Sequence, residues 1–173
     1  MSFDGNDEDV VGLLFDGSWL WEEYLAKVMP PEIAHAENKT GGHGIYALEQ
    51  RAWSWYPDFY SKPNSIGNAL VFDAKYKRYG NDKIDPSDQH QVVSYMYVLK
   101  SDIGGFILPS PTSNNSGKMF NPLGVLNGHG GKMYICRYPI PSACDSFADF
   151  TTRMRKVEER FRREVRAMIH HAN

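Results

Sequence analysis

Three short stretches of this 173-residue chain carry side chains that can act together. They are Tyr56-Pro57-Asp58-Phe59, Phe72-Asp73-Ala74-Lys75-Tyr76-Lys77, and Glu22 within Leu20-Trp21-Glu22-Glu23-Tyr24. Residues two apart on a β-strand share a face, so Asp73 and Lys75 point the same way and Lys77 continues their line. The run 69–77 is apolar at its start and alternating at its end, the pattern of a strand buried over its first half and wet at its tip. An acid and a base are thereby presented side by side. If the strand holding Asp58 pairs with the one holding Asp73, two carboxylates converge, and hard oxygen ligands of that kind suit Mg²⁺ or Mn²⁺. Phosphodiester hydrolysis needs such parts: a metal that lowers the pKa of a bound water and neutralises phosphate charge, and a lysine that orients the water or stabilises developing charge.

The elements that must position these residues follow from periodicity. Trp19, Leu20, Tyr24, Leu25 and Val28 recur at helical spacing, with Ser18 as the expected N-cap and Pro30-Pro31 as the stop. Residues 33–44 are polar and glycine-containing and read as a loop, while 45–50 and 51–60 read as two strands of a hairpin. After the strand 69–77, Asp85-Pro86-Ser87-Asp88 is a helix start, and Val92, Val93, Tyr95, Met96 and Leu99 supply its apolar face. Residues 104–108 and 132–138 are further strand candidates, with an exposed loop expected over 110–131. The stripe Phe147, Phe150, Met154, Val157, Phe161, Val165 and Met168 or Ile169 marks an amphipathic helix over 145–171. Helix, three strands, helix, strand, strand, helix is an α/β order, in which one mixed central sheet is flanked by helices. Residues 1–12 form an acidic lead-in, and 13–173 a single domain.

Composition excludes several classes. With 42% hydrophobic and 23% charged residues the chain is neither disordered nor fibrous. No run approaches the roughly 18 apolar residues of a membrane helix, and the N-terminus is acidic where a signal peptide is basic, so a cytoplasmic protein with no membrane partner is expected. Cys136 and Cys144 fit neither a zinc module nor a disulfide framework and read as free thiols. His35, His43, His90, His129, His170 and His171 show no metal-ligand spacing and read as loop, edge and tail residues; Trp19, Trp21, Trp53 and Trp55 read as packing. The net charge of −2 divides into −8 over residues 1–37 and +6 over the rest. That permits a polyanionic partner without demanding one. The bases of the terminal helix, seven against four acids from Asp149 onward, fit a solvated face supported by i,i+4 pairs.

Pro57-Asp58 followed by Asp73-Ala74-Lys75 resembles the signature of the PD-(D/E)xK nuclease superfamily, and the element order resembles its restriction-endonuclease-like αβββαβ core. The surrounding text is more specific. Leu20-Trp21-Glu22-Glu23-Tyr24-Leu25-Ala26-Lys27, Val71-Phe72-Asp73-Ala74-Lys75-Tyr76-Lys77 and Asp88-Gln89-His90-Gln91-Val92-Val93-Ser94-Tyr95 resemble the nuclease domain of McrC-type subunits of 5-methylcytosine restriction systems. The resemblance implies that Glu22, Asp58 and Asp73 bind Mg²⁺, with Mn²⁺ able to substitute, and that Lys75 is catalytic. Glu23 remains an alternative to Glu22. It also implies that Gln91 and Tyr95, which match the Gln-x-x-x-Tyr feature of RecB-like nucleases, support the site or the DNA from one helix face; Lys77 is a further supporting candidate. The implied partners are DNA, an AAA+ NTPase subunit and a second copy of the chain. McrC-type proteins usually carry a sizeable region before this domain, whereas about a dozen residues, four of them acidic, precede it here. Metal-dependent DNA endonuclease is the expected function. The alternative is a non-catalytic DNA-binding or assembly subunit that regulates an NTP-driven motor.

Overall fold

In the computed structural model the described residues are 16–36, 44–61, 68–77, 84–111, 117–128 and 130–170. The acidic lead-in 1–12, with His43, His129 and His171, lies outside them.

The first helix, α1 (Gly17–Val28), buries Trp21, Leu25 and Val28, an i, i+4, i+7 stripe. Its cap is Asp16 and not Ser18: the Asp16 carboxylate accepts the Trp19 N–H at 3.1 Å, and Ser18 falls inside the first turn. Asp16→Ala should therefore cost about 1 kcal/mol and lower the midpoint of thermal unfolding by roughly 2–4 °C, whereas Ser18→Ala should change it little. Thermal melts of the two variants compare the two assignments directly.

Six strands form the main sheet. They are β1 (Ile33–His35), β4 (Phe59–Ser61), β5 (Leu70–Ala74), β6 (Ile103–Pro111), β8 (Lys132–Ile140) and β7 (Phe120–Val125), in that spatial order. The centre, β5-β6-β8, is parallel; β1 and β4 on one side and β7 on the other are antiparallel. Between β5 and β6 the chain crosses over through α2 (Pro86–Leu99), as a parallel pair requires. All five residues of β5 are buried, because helices cover both faces. Leu70, Phe72, Ala74, Ile103 and Ile107 pack with α1 and with α3 (Phe147–His170), whose Phe161 ring lies 5.1 Å from that of Tyr138. Val71, Phe106 and Leu108 pack with Val92, Tyr95 and Met96 of α2. Alternation along β5 therefore turns Asp73 to the same side as Val71, toward α2. The helix comes so close that the Met96 thioether packs directly over Gly104 of β6, where a Cβ would have to displace that flexible side chain.

The expected mixed sheet flanked by helices is present, with three corrections. Part of 33–44 is not loop, since Ile33–His35 forms edge strand β1 against β4, with Ile33 opposite Ser61. The interval 110–131 likewise contains edge strand β7, whose Pro122 and Gly124 flank an irregularity in its pairing with β8. Proline and glycine are tolerated at such an edge, where they resemble turn signals. The two long strands expected over 45–60 are shorter. β2 (Ile45–Tyr46) and β3 (Ser54–Trp55) make a small separate hairpin, because Arg51 and Trp53 adopt positive φ and break the extended run. Trp19 and Trp53 are exposed, whereas Trp21 is buried in the core and Trp55 packs half-buried against the cluster on the α2 side. Both cysteines are free thiols. No helix among the described residues is long and apolar enough to cross a membrane.

Candidate active site

The site gathers where β5 ends. The Ile107 carbonyl of β6 accepts two donors, the Trp21 indole N–H at 3.3 Å and the Lys75 backbone N–H at 3.0 Å. One oxygen thus ties α1, and with it Glu22 next to Trp21, to the backbone of Lys75. Register does the rest: Phe59 lies opposite Phe72, so the residue before β4, Asp58, arrives beside Asp73. Its Oδ2 accepts the Ala74 N–H at 2.6 Å. Asp58 was expected on a strand and instead sits one residue ahead of β4, yet the convergence with Asp73 is what strand pairing predicts. The resulting cleft, about 680 Å³, is lined by Glu22, Glu23, His35, Trp55, Asp58, Asp73, Lys75, Gln91 and Tyr95 among others.

Its electrostatics are those of crowded carboxylates. Burial pushes the Asp58 carboxyl well above the usual range, and the negative charges of Asp73 and Glu22 push it further; the Ala74 N–H and Lys75 oppose this without cancelling it. Asp73, 1% exposed, is also raised by burial, with Lys75 opposing. For Lys75, burial alone would lower the pKa, but the carboxylates of Asp73 and Asp88 outweigh it and hold the amine above its ordinary value. At neutral pH Lys75 is therefore an ammonium, a hydrogen-bond donor and positive charge rather than a base. It stands 2.7 Å from Asp73 Oδ2, but without hydrogen-bond alignment, so that buried oxygen is held by charge.

Of the two acids on α1, Glu22 is the one whose charge Asp58 feels, while Glu23 Oε1 lies 3.9 Å from His35 Nε2. The α2 residues join as expected. Lys75 Nζ donates to Gln91 Oε1 at 3.1 Å, and Gln91 Nε2 donates to the Tyr95 hydroxyl at 3.0 Å. Lys77, half exposed and outside the cleft lining, reaches Asp88 at 3.2 Å, the acid that also meets Lys75, and Asp85 at 3.7 Å. Two residues of the site went unread in the sequence. His35 donates from Nδ1 to the Asp58 carbonyl at 2.8 Å and stacks on Phe59; the brevity of β1, three residues in a polar stretch, hides it in the sequence. Asp88 was seen only as part of a helix start. Its spacing of three before Gln91 and seven before Tyr95 places it on their helix face and was the available signal.

Asp58 and Asp73 offer oxygens only, and Asp73 Oδ2 is a buried oxygen without a hydrogen bond, so the pair fits a hard cation such as Mg²⁺. Among the described residues no three His, Cys, Asp or Glu side chains stand close enough to form a ready-made cage. Mg²⁺ is commonly held by one or two carboxylates together with substrate phosphate and water.

Over residues 1–109 the sequence matches the family model described as McrBC 5-methylcytosine restriction system component. No curated protein matches it. Among solved structures it is similar to a chain of the refined half-complex from the tetradecameric assembly of Thermococcus gammatolerans McrB AAA+ hexamers with bound McrC. The TM-score is 0.55 and the identity 20%, over 91% of this chain and 34% of that one. The chain thus spans about a third of that relative's length, and at this identity the likeness is one of fold.

Proposed function

The chain belongs to the family of McrBC 5-methylcytosine restriction system components, and from that premise we propose that it is an McrC-like, metal-dependent DNA endonuclease of the PD-(D/E)xK type. The observation that carries the reading is one contact and its setting: an ammonium, Lys75, 2.7 Å from a buried carboxylate, Asp73, with Asp58 alongside in an open cleft. Structural ion pairs are seldom placed among further carboxylates, because each added negative charge raises the cost of the others.

In this reading Asp58 and Asp73 hold Mg²⁺, with Glu22 as a third ligand reached directly or through water. The bound ion supplies a water of lowered pKa and neutralises charge on the scissile phosphate. Lys75 donates a hydrogen bond to the attacking water or to a phosphate oxygen and stabilises the charge that builds there. Gln91 holds the lysine and Tyr95 holds Gln91. The substrate is DNA in the cytoplasm. An AAA+ NTPase partner of the kind named in the Thermococcus gammatolerans assembly delivers it, and a second copy of the chain provides the second centre that a double-strand cut needs.

The test is cleavage of methylated and unmethylated plasmid with Mg²⁺ or Mn²⁺, with EDTA as the control, alone and with the cognate NTPase. Cutting that needs the metal is the expected result. Intact plasmid under every condition, from a protein that also shows no Mn²⁺ heat in calorimetry, would overturn the nuclease reading in favour of a non-catalytic subunit.

A further inference from the structure

Asp88 sits in the first turn of α2 and is 6% exposed. Acids are seldom buried unless paired, and this one is paired on both sides. Its Oδ1 lies 3.3 Å from Lys75 Nζ, and its Oδ2 lies 3.2 Å from Lys77 Nζ. Around Lys75 Nζ this makes three oxygens: Asp73 Oδ2 at 2.7 Å, Gln91 Oε1 at 3.1 Å and Asp88 Oδ1 at 3.3 Å. An ammonium carries its charge on a flexible four-carbon stem, so one hydrogen-bonded oxygen, that of Gln91, and two carboxylate oxygens in ion-pair contact fix its place. Two of the three come from one face of α2, at i and i+3.

We propose that Asp88 is a positioning residue for Lys75. With Gln91 it grips the ammonium from the α2 side, so that the remaining face of the ammonium is turned to Asp73 and to the reacting phosphate. Lys77 holds the other oxygen of Asp88 and so acts as an outer brace. The inference rests on the nuclease reading for its purpose, but its geometry can be tested without cleavage. The competing role for Asp88 is complementation of the helix dipole at the α2 N-terminus, which would affect stability and leave Lys75 untouched.

Lysine ammonium groups of the ¹⁵N-labelled protein, observed by NMR in the cold at mildly acidic pH, separate these roles. Solvent-exposed ammonium protons exchange too fast to be seen, whereas held ones give a signal; Lys75 is assigned by its loss in Lys75→Arg. The wild type should show the Lys75 signal, Asp88→Ala should lose it, and Asp85→Ala, which removes an acid from the same helix end, should keep it. Should Asp88→Ala fail to fold, the isosteric Asp88→Asn offers one acceptor oxygen to two lysines and should speed exchange of the Lys75 protons severalfold. No Lys75 signal in the wild type, or one unchanged in the folded Asp88 variant, would overturn the proposal. In an active enzyme Asp88→Asn should lower kcat by between about tenfold and a hundredfold with KM for DNA unchanged. A raised KM with kcat intact would make Asp88 a DNA contact and overturn it also. A held ammonium in a protein that cuts nothing would count against the nuclease reading alone.

Discussion

Lys75→Ala is expected to reduce DNA cleavage by a factor of about 10³ while the protein still folds. The loss follows from what Lys75 is in this setting. Held above its ordinary pKa by Asp73 and Asp88 against the effect of burial, it is, among the described residues, the one lysine or arginine lining a cleft of carboxylates, so no described neighbour replaces its charge at the phosphate. The fold survives because the backbone tie of residue 75 to Ile107 does not involve the side chain. Asp73 nevertheless loses its counter-charge and remains buried. Burial already raises its pKa, and without the ammonium the rise is larger, which gives the variant a pH signature. An acid with a raised folded pKa contributes stability below its unfolded pKa, and that contribution is lost as the pH climbs through the folded value. The variant should therefore match the wild type most closely near pH 4 to 5 and fall behind it toward pH 8. Plasmid cleavage and thermal melts on the same preparations check both halves; a variant that still cuts at a tenth of the wild-type rate would remove Lys75 from the mechanism.

The same arrangement explains how much could be read beforehand. Asp73 and Lys75 were legible because the buried apolar run of the central strand β5 breaks at an acid next to its end, with the lysine one residue past the strand. The terminal helix was legible because Met154, Phe161, Val165 and Ile169 must all reach the core from one stripe. Edge elements lack such enforcement. β1 spans three residues against one neighbour, so the sequence around it is free to look like loop, and His35 was lost with it. β7 carries Pro122 and Gly124 at an edge that tolerates both. Asp88 was missed for another reason: an acid in a first turn already has a sufficient local explanation, and its tertiary partner lies eleven to thirteen residues away across a crossover. Local rules assign a residue one purpose, and the buried ion pair added a second.

Asp58→Asn is expected to do two opposite things: abolish metal-dependent cleavage and make the protein more stable at neutral pH. Desolvation first, then the charges of Asp73 and Glu22, raise the Asp58 carboxyl well above its ordinary range, so the folded chain binds that proton more tightly than the unfolded chain does. Wild-type stability must then decline as the pH rises above the unfolded value of about 4, and at neutral pH the buried acid is a net cost to the fold. Asparagine keeps an oxygen for the Ala74 N–H and carries no charge, so the anchor remains and the repulsion goes. A gain of about 1–2 kcal/mol, roughly 2–8 °C in the unfolding midpoint at pH 7.5 and shrinking toward pH 4, is the size expected when a strained functional carboxylate is neutralised. Mn²⁺ divides the two proteins further, since a ligand that binds only the folded state raises its stability by mass action. It should raise the wild-type midpoint and leave that of the variant where it was. A variant less stable than the wild type at pH 7.5 would show that Asp58 is there to hold β4 in place, and an equal Mn²⁺ shift in both would take it out of the ligand set. Stability gained where activity is lost is what separates a carboxylate kept for a cation from one kept for the fold.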